Sequence, residues 1–322
     1  MSRKALLIGI DDYDNINCLD GCVNDAKDMS GLLARHDSGV KNFDCKLYTS
    51  SDIEPITRRF LREKLNELFE VSFDGHALFY FSGHGTPTEV GGYLVTQDAE
   101  EGDLGIAMND VLTLANNSRA KSVLIILDCC FSGAIGNAVS RGNLENQATL
   151  REGVTILAAS RPTQTSLEIN GHGVFTQLLV GALSGGAADV RGRVSAAAVY
   201  AYAEQALGPW DQRPLYKSHA DSLPELRWCT PLVEDSLLRQ LPQIFEEPTS
   251  IFKMDPSFEH TKKKIAVKEN VQLFDLFKCF RNAGLLKTEF GDDLYYTALQ
   301  SKGVLLTQLG QFYWQLANSD RL

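Results

Sequence analysis

The chain has 322 residues, 44% hydrophobic and 22% charged, with a formal net charge of -10. That length predicts one large domain with a smaller one, or two domains, and the apolar share suffices for a sizeable core. The acidic balance offers no footprint for a polyanion, and no apolar run reaches the roughly 18–20 residues of a membrane span.

The N-terminal run through Ile10 is too short for a signal peptide and lacks a small-residue cleavage site, which predicts a first strand and a cytoplasmic protein. Lys4–Ile10, Asp44–Thr49, His76–Phe81, Ser122–Asp128 and Gly153–Ala159 read as strands, most of them nearly continuous in apolar residues, as expected where both faces are covered. Helices are predicted at Val23–Arg35, Glu54–Glu70, Phe175–Leu183 and Ser195–Leu207. This alternation predicts an α/β domain over 1–223, with a mostly parallel sheet flanked by helices. Chemistry in such a sheet gathers beyond the carboxyl ends of the strands. The polar stretch Arg141–Glu152 reads as an exposed loop between two central strands, where the bonds after Arg141 and Arg151 would be accessible to cleavage.

Five prolines punctuate 224–265, which reads as a linker. A compact unit is expected over 266–322, beginning with the amphipathic helix Asn270–Leu286. The remainder resembles a small α+β winged helix whose wing turns at Ser301–Gly303. Residues 231–322 carry 11 Lys and Arg against 12 Asp and Glu, so DNA binding is not expected. A regulatory protein partner for 266–322 is the preferred reading.

Seven cysteines, an odd number, do not suggest a secreted disulfide framework. Cys129 and Cys130 are adjacent, which strains any bond between them, and Cys18 and Cys22 lack a second pair to complete a zinc site. No metal site is read from the chain.

Two strand ends carry the chemistry. Phe79–Gly85 is an apolar strand ending around His84, and Leu124–Gly133 is a second ending in Asp-Cys-Cys. If the two strands are neighbours, His84 and Cys130 meet at the sheet's carboxyl edge. The imidazole would assist thiol deprotonation and later protonate the leaving amine. Side chains alternate along a strand, so Asp128 and Cys130 share one side while Cys129 enters the core. The backbone N–H groups of Gly85 and Cys130 could form an oxyanion hole.

Ser82–Gly85 followed by Asp128–Gly133 resembles the caspase fold, and specifically the metacaspases, as do Leu19–Ala26, Val154–Ser160 and Gly173–Leu183. The resemblance covers about two-thirds of the chain. It implies a cysteine endopeptidase cutting after Arg or Lys, with Cys22, Asp25, Ser82 and Asp128 lining an acidic substrate pocket. Two carboxylates in a narrow cleft suit a guanidinium through charge-assisted hydrogen bonds. Many metacaspases need calcium; Asp98 and Asp110 are loosely placed for it, and Asn137 stands where a further carboxylate is expected, which leaves the calcium requirement open. Phe131 replaces a histidine usual after the nucleophile. The family also implies regulated proteolysis, bacterial cell death or antiviral defence. The alternatives are a non-catalytic caspase-fold scaffold and a DNA-bound regulator. His172, flanked by glycines with no strand before it, is expected to be a loop residue.

Overall fold

The computed structural model describes residues 2–88, 91–129, 150–159, 168–169, 171–207, 214–220, 225–262 and 264–322. They divide into two compact units, Met1–Ala188 with Arg193–Cys229, and Asp189–Gly192 with Thr230–Leu322.

In the first unit the chain runs β1 (Arg3–Gly9), α1 (Cys22–Ala34), β2 (Asp44–Thr49), α2 (Arg58–Leu68) and β3 (His76–Ser82). It continues through β4 (Gly85–Thr88), β5 (Gly91–Glu100), β6 (Asp103–Ala107), α3 (Met108–Asn117), β7 (Ser122–Asp128) and β8 (Val154–Ala158). The last elements are β9 (Glu168–Ile169), β10 (His172–Gly173), α4 (Val174–Gly181), β11 (Arg193–Ser195), α5 (Ala196–Leu207), β12 (Leu215–His219) and β13 (Glu225–Trp228).

Six strands form one sheet in the order β12-β8-β7-β3-β1-β2, parallel except for β12. The continuous apolar runs follow from its two covered faces. Leu6, Ile8, Phe79, Phe81, Ile125 and Leu127 pack with Phe60, Leu61, Leu65, Val111 and Leu112 of α2 and α3. The alternate residues Ala5, Leu7, Leu78, Tyr80, Leu124 and Ile126 pack with Met29, Leu33, Leu179 and Val199 of α1, α4 and α5. Each fully buried Leu, Ile or Phe contributes about 1.5–3 kcal/mol. α1 lies close against β1 because Gly9 has no Cβ, which would sit 2.4 Å from the Cys22 carbonyl oxygen.

Two features of this unit differ from the sequence reading. β4, β5 and β6 form a separate antiparallel sheet directly after His84. Their glycines, Pro87 and acidic residues hide the period-2 pattern that marks a strand. β12 is an antiparallel edge strand, only partly buried, so it lacks the apolar run of its neighbours.

The segment expected as a linker is largely structured. β13 pairs with β11 in the first unit. From Thr230 the chain belongs to the second unit, as α6 (Asp235–Leu238), α7 (Leu241–Ile244) and β14 (Ile251–Lys253). Pro242 sits in the first turn of α7, where no N–H is needed, and Phe245 and Phe258 are buried. Then follow α8 (Lys268–Asn282), β15 (Leu286–Thr288), α9 (Leu294–Leu299), β16 (Gly303–Leu306) and α10 (Gln308–Asn318). The antiparallel sheet β14-β16-β15 and the buried face Phe274, Phe277 and Phe280 of α8 make this unit's core. The turn at Ser301–Gly303 leads from a helix, α9, into the middle strand β16. A wing joins two strands, and this turn does not. No helix among the described residues is long and apolar enough to cross a membrane.

Candidate active site

β3 and β7 are neighbours in register, with Ser82 opposite Asp128. Two residues beyond Ser82, the chain leaves the sheet at His84. Its backbone N–H donates to the Tyr13 hydroxyl at 2.7 Å, and the two rings meet at a tilt of 47°, 4.8 Å between centroids. Gly83 permits this approach, since a Cβ there would lie 2.7 Å from the same hydroxyl. His84 Nε2 is 2.7 Å from the Asn17 carbonyl oxygen. A carbonyl only accepts, so Nε2 carries the proton and Nδ1 is left with the lone pair a base requires. Asn17 was not singled out from sequence, because its contribution is a main-chain atom.

Cys130, Arg141 and Asn137 lie outside the described residues. Cys129, immediately before the expected nucleophile, is buried against the α2 and α3 face of the sheet.

The four residues of the expected substrate pocket are all buried, and two of them are carboxylates. α1 begins at Cys22, whose N–H donates to Asp11 at 2.7 Å, as does Val23 N–H at 3.2 Å, so a remote carboxylate caps the helix. That start brings Asp25, 1% exposed, under the carboxyl ends of β3 and β7. Ser82 Oγ donates to Asp25 Oδ2 at 3.4 Å. From the other side come the residues after β9. His172 Nδ1 is 3.0 Å from Asp25 Oδ1, and Gly173 N–H donates to Asp25 Oδ2 at 3.0 Å. Asp128, 5% exposed, accepts from Thr176 N–H at 3.1 Å and Thr176 Oγ1 at 2.6 Å in the first turn of α4. The Thr176 hydroxyl also meets the Tyr80 hydroxyl at 2.6 Å.

Gly173 is the residue that lets these pieces close. A Cβ on it would lie 2.6 Å from Asp128 Oδ2 and 3.0 Å from Asp25 Oδ2. His172 is therefore no free loop residue: it belongs to β10, pairs with β9 and holds Asp25. A two-residue strand has too little pattern to announce itself in sequence.

Burial, and then the neighbouring Asp128 carboxylate, raise the Asp25 pKa to about 7, against the hydrogen bonds from Gly173 and His172. The cluster thus holds an acidic group that ionises near neutrality and gains from a cation brought beside it.

Two further expectations have a place in the structure. Arg151 is partly buried, and its guanidinium donates to the carbonyls of Ala115 at 3.1 Å, Ala120 at 2.7 Å and Glu152 at 2.7 Å. It fastens the end of α3. The calcium expectation finds little support in the donor set. Asp98 accepts from Thr96 Oγ1 at 2.7 Å and from the Arg58 N–H at 3.0 Å, while the Arg58 guanidinium holds Asp103 at 2.7 Å. Among the described residues, no three His, Cys, Asp or Glu gather in a way that could hold a metal ion. Asp110 is exposed in the first turn of α3.

Comparison with known proteins gives the family. The family model described as the caspase domain matches residues 2–222. The chain belongs to the caspase family. The curated relatives that it matches in part are metacaspases. Metacaspase-6 of Arabidopsis thaliana is 33% identical over 150 residues, 42% of this chain and 39% of that protein. Metacaspase-1 of Schizosaccharomyces pombe is 39% identical over 101 residues, 28% of this chain and 24% of that protein. The chain thus matches well under half the length of these relatives. Among solved structures, protein GSU0716 from Geobacter sulfurreducens superposes with a TM-score of 0.51 at 17% identity, over 72% of this chain and 98% of that one. That likeness concerns the fold alone.

Proposed function

We propose that this caspase-family chain is a cysteine endopeptidase that cleaves protein substrates after Arg or Lys, with His84 and Cys130 as the catalytic pair. The observation that carries the reading is the meeting of two buried carboxylates, Asp25 and Asp128, at the carboxyl ends of β3 and β7, the strands that in sequence lead to His84 and Cys130. A desolvated pair of acids at a cleavage site selects a basic side chain, and a guanidinium can answer both. A pocket for an acidic side chain would need basic residues there.

In this reading the lone pair on His84 Nδ1 takes the Cys130 proton, and the thiolate attacks the substrate carbonyl. The N–H groups of Gly85 and Cys130 stabilise the oxyanion. The imidazolium then protonates the departing amine, leaving an acyl-enzyme that water hydrolyses. Asn17 keeps the ring in the tautomer that makes this sequence available.

Self-cleavage in the Arg141–Glu152 loop belongs to the same proposal, at Arg141, because the Arg151 guanidinium is engaged with three carbonyls. The second unit is proposed as a regulatory protein-binding module and the whole as an agent of regulated proteolysis in defence or cell death. The six described cysteines are thiols rather than disulfides, which suits a reducing compartment such as the cytoplasm.

The deciding experiment is cleavage of dye-linked peptides ending in Arg, Lys or Asp by wild type, Cys130→Ala and Asp128→Ala. Cleavage after Arg and Lys, abolished by Cys130→Ala and cut at least about 100-fold by Asp128→Ala, is expected. Cleavage after Asp would overturn the pocket assignment. No cleavage of any peptide would favour the scaffold alternative.

A further inference from the structure

A cavity of about 460 Å³ borders His84 and Gly85 and shares none of its lining with the acidic cluster. Its size falls in the range of about 300–1,000 Å³ typical of ligand sites. Ile16, Val95, Ala99 and Leu104 make its body apolar, and the exposed Glu100 and Glu101 stand at its rim.

The walls are fixed by hydrogen bonds to main-chain carbonyls. Val95 N–H donates to the His84 carbonyl at 3.0 Å, Asn15 Nδ2 to the Ala99 carbonyl at 3.0 Å, and Asp14 N–H to the Gln97 carbonyl at 3.1 Å. A ligand entering this space meets a surface already ordered, so little of its binding energy is spent on closing the site.

The chemistry says which part of a substrate comes here. In acyl transfer the side chain before the scissile bond goes to the carboxylates, while the departing nitrogen must meet the imidazole that protonates it. The segment attached to that nitrogen leaves along the His84 flank, where the cavity opens. We propose that the cavity is the binding site for this leaving segment. It takes a bulky apolar side chain in its body and a Lys or Arg beside it at the Glu100 and Glu101 rim. This rests on the peptidase reading for its direction, and it adds a second specificity element of a different chemical kind. The apolar side chain supplies most of the selectivity, because the rim carboxylates are open to solvent and screened by salt.

The test uses the full chain and internally quenched peptides with one Arg, followed by Leu-Lys, Gly-Lys, Leu-Glu or Gly-Glu. A kcat/KM ratio of at least about tenfold for Leu over Gly is expected. Lys over Glu should give a few-fold preference that shrinks with salt. Leu104→Arg should bring the Leu/Gly ratio towards one, and Glu100→Lys with Glu101→Lys, both at exposed positions, should reverse the Lys/Glu preference. A Leu/Gly ratio near one in the wild type, or one unmoved by Leu104→Arg, overturns the proposal. A readout without turnover separates it from the peptidase reading: calorimetric binding of the free peptide Leu-Lys-Ala-amide to the Cys130→Ala chain, weakened by Leu104→Arg. Absent binding sinks the cavity assignment even if Arg peptides are cleaved. Binding without cleavage of any peptide sinks the peptidase reading and leaves the cavity a peptide site.

Discussion

The acidic cluster and the cavity bordering His84 are built on opposite principles. The acidic cluster is buried, carries charge, and uses nearly every polar group around it. Asp25 accepts from His172, Gly173 and Ser82, and Asp128 from Thr176. The cavity beside His84 is open and apolar, with its charge kept at a solvated rim. Burying two like charges is costly, so the first, as the proposed pocket for a basic side chain, would discriminate strongly while forcing its groups towards protonation. The second discriminates by shape and area, and costs the fold little.

Removing one acid is the strongest way to break this contrast. Asp128→Asn should lower kcat/KM for Arg peptides by about 100-fold or more. It also removes the like charge that helps raise Asp25. The residual activity should therefore titrate at lower pH than the wild type, which a pH–rate profile would reveal. An unchanged profile would mean that Asp128 does not act on Asp25.

Gly173→Ala comes next. The added methyl would press on both carboxylates, at 2.6 Å and 3.0 Å, and an overpacked buried site loses about 1–3 kcal/mol. Activity on Arg peptides should fall by tens of fold, with a lower melting temperature but an unchanged far-ultraviolet spectrum. Full activity in this variant would show that the cluster opens before substrate enters.

These two variants mark the limit of what the sequence displays. Asp25 and Asp128 are legible through the family motif, and β1, β3, β7 and β8 through apolar runs that both covered faces demand. Gly173, His172 and the Asn17 carbonyl are not. Their roles depend on a two-residue strand and a main-chain atom, which leave no periodic trace. The prolines between 224 and 265 mislead for a related reason. Pro242 sits in the first turn of α7, where a proline fits, and neighbouring Phe245 and Phe258 supply core that a linker would lack.

The Asp25 carboxyl also makes a pH prediction with a definite sign. Its folded pKa, about 7, lies above the ordinary value of 3.8, so the folded protein holds this proton more tightly than the unfolded chain. The stability it contributes is full below pH 3.8 and is lost as pH rises through about 7. Binding of a basic side chain should show the reverse trend, improving over the same range as the carboxylate forms. Melting temperature against pH, in the Cys130→Ala background, should fall less steeply between pH 5 and 8 once Asp25→Asn is added. Parallel curves would count against the raised pKa.

The smallest effect concerns the two arginines of the segment 141–152. Arg151 spends its guanidinium on the carbonyls of Ala115, Ala120 and Glu152, at the end of α3 and the entry to β8. Substituting it with Gln removes charge-assisted bonds to groups that are partly solvated, so the loss should be about 1–2 kcal/mol, read as a modest fall in melting temperature. Self-cleavage should continue in that variant, because an arginine held by three carbonyls is poorly placed to enter an acidic pocket. Arg141→Gln should have the opposite pair of effects, leaving the melting temperature in place and stopping the cut. Mass spectrometry of the incubated chain distinguishes the two: a fragment ending at Arg141 supports the assignment. One ending at Arg151 would mean that the α3 anchor releases before the enzyme acts on itself.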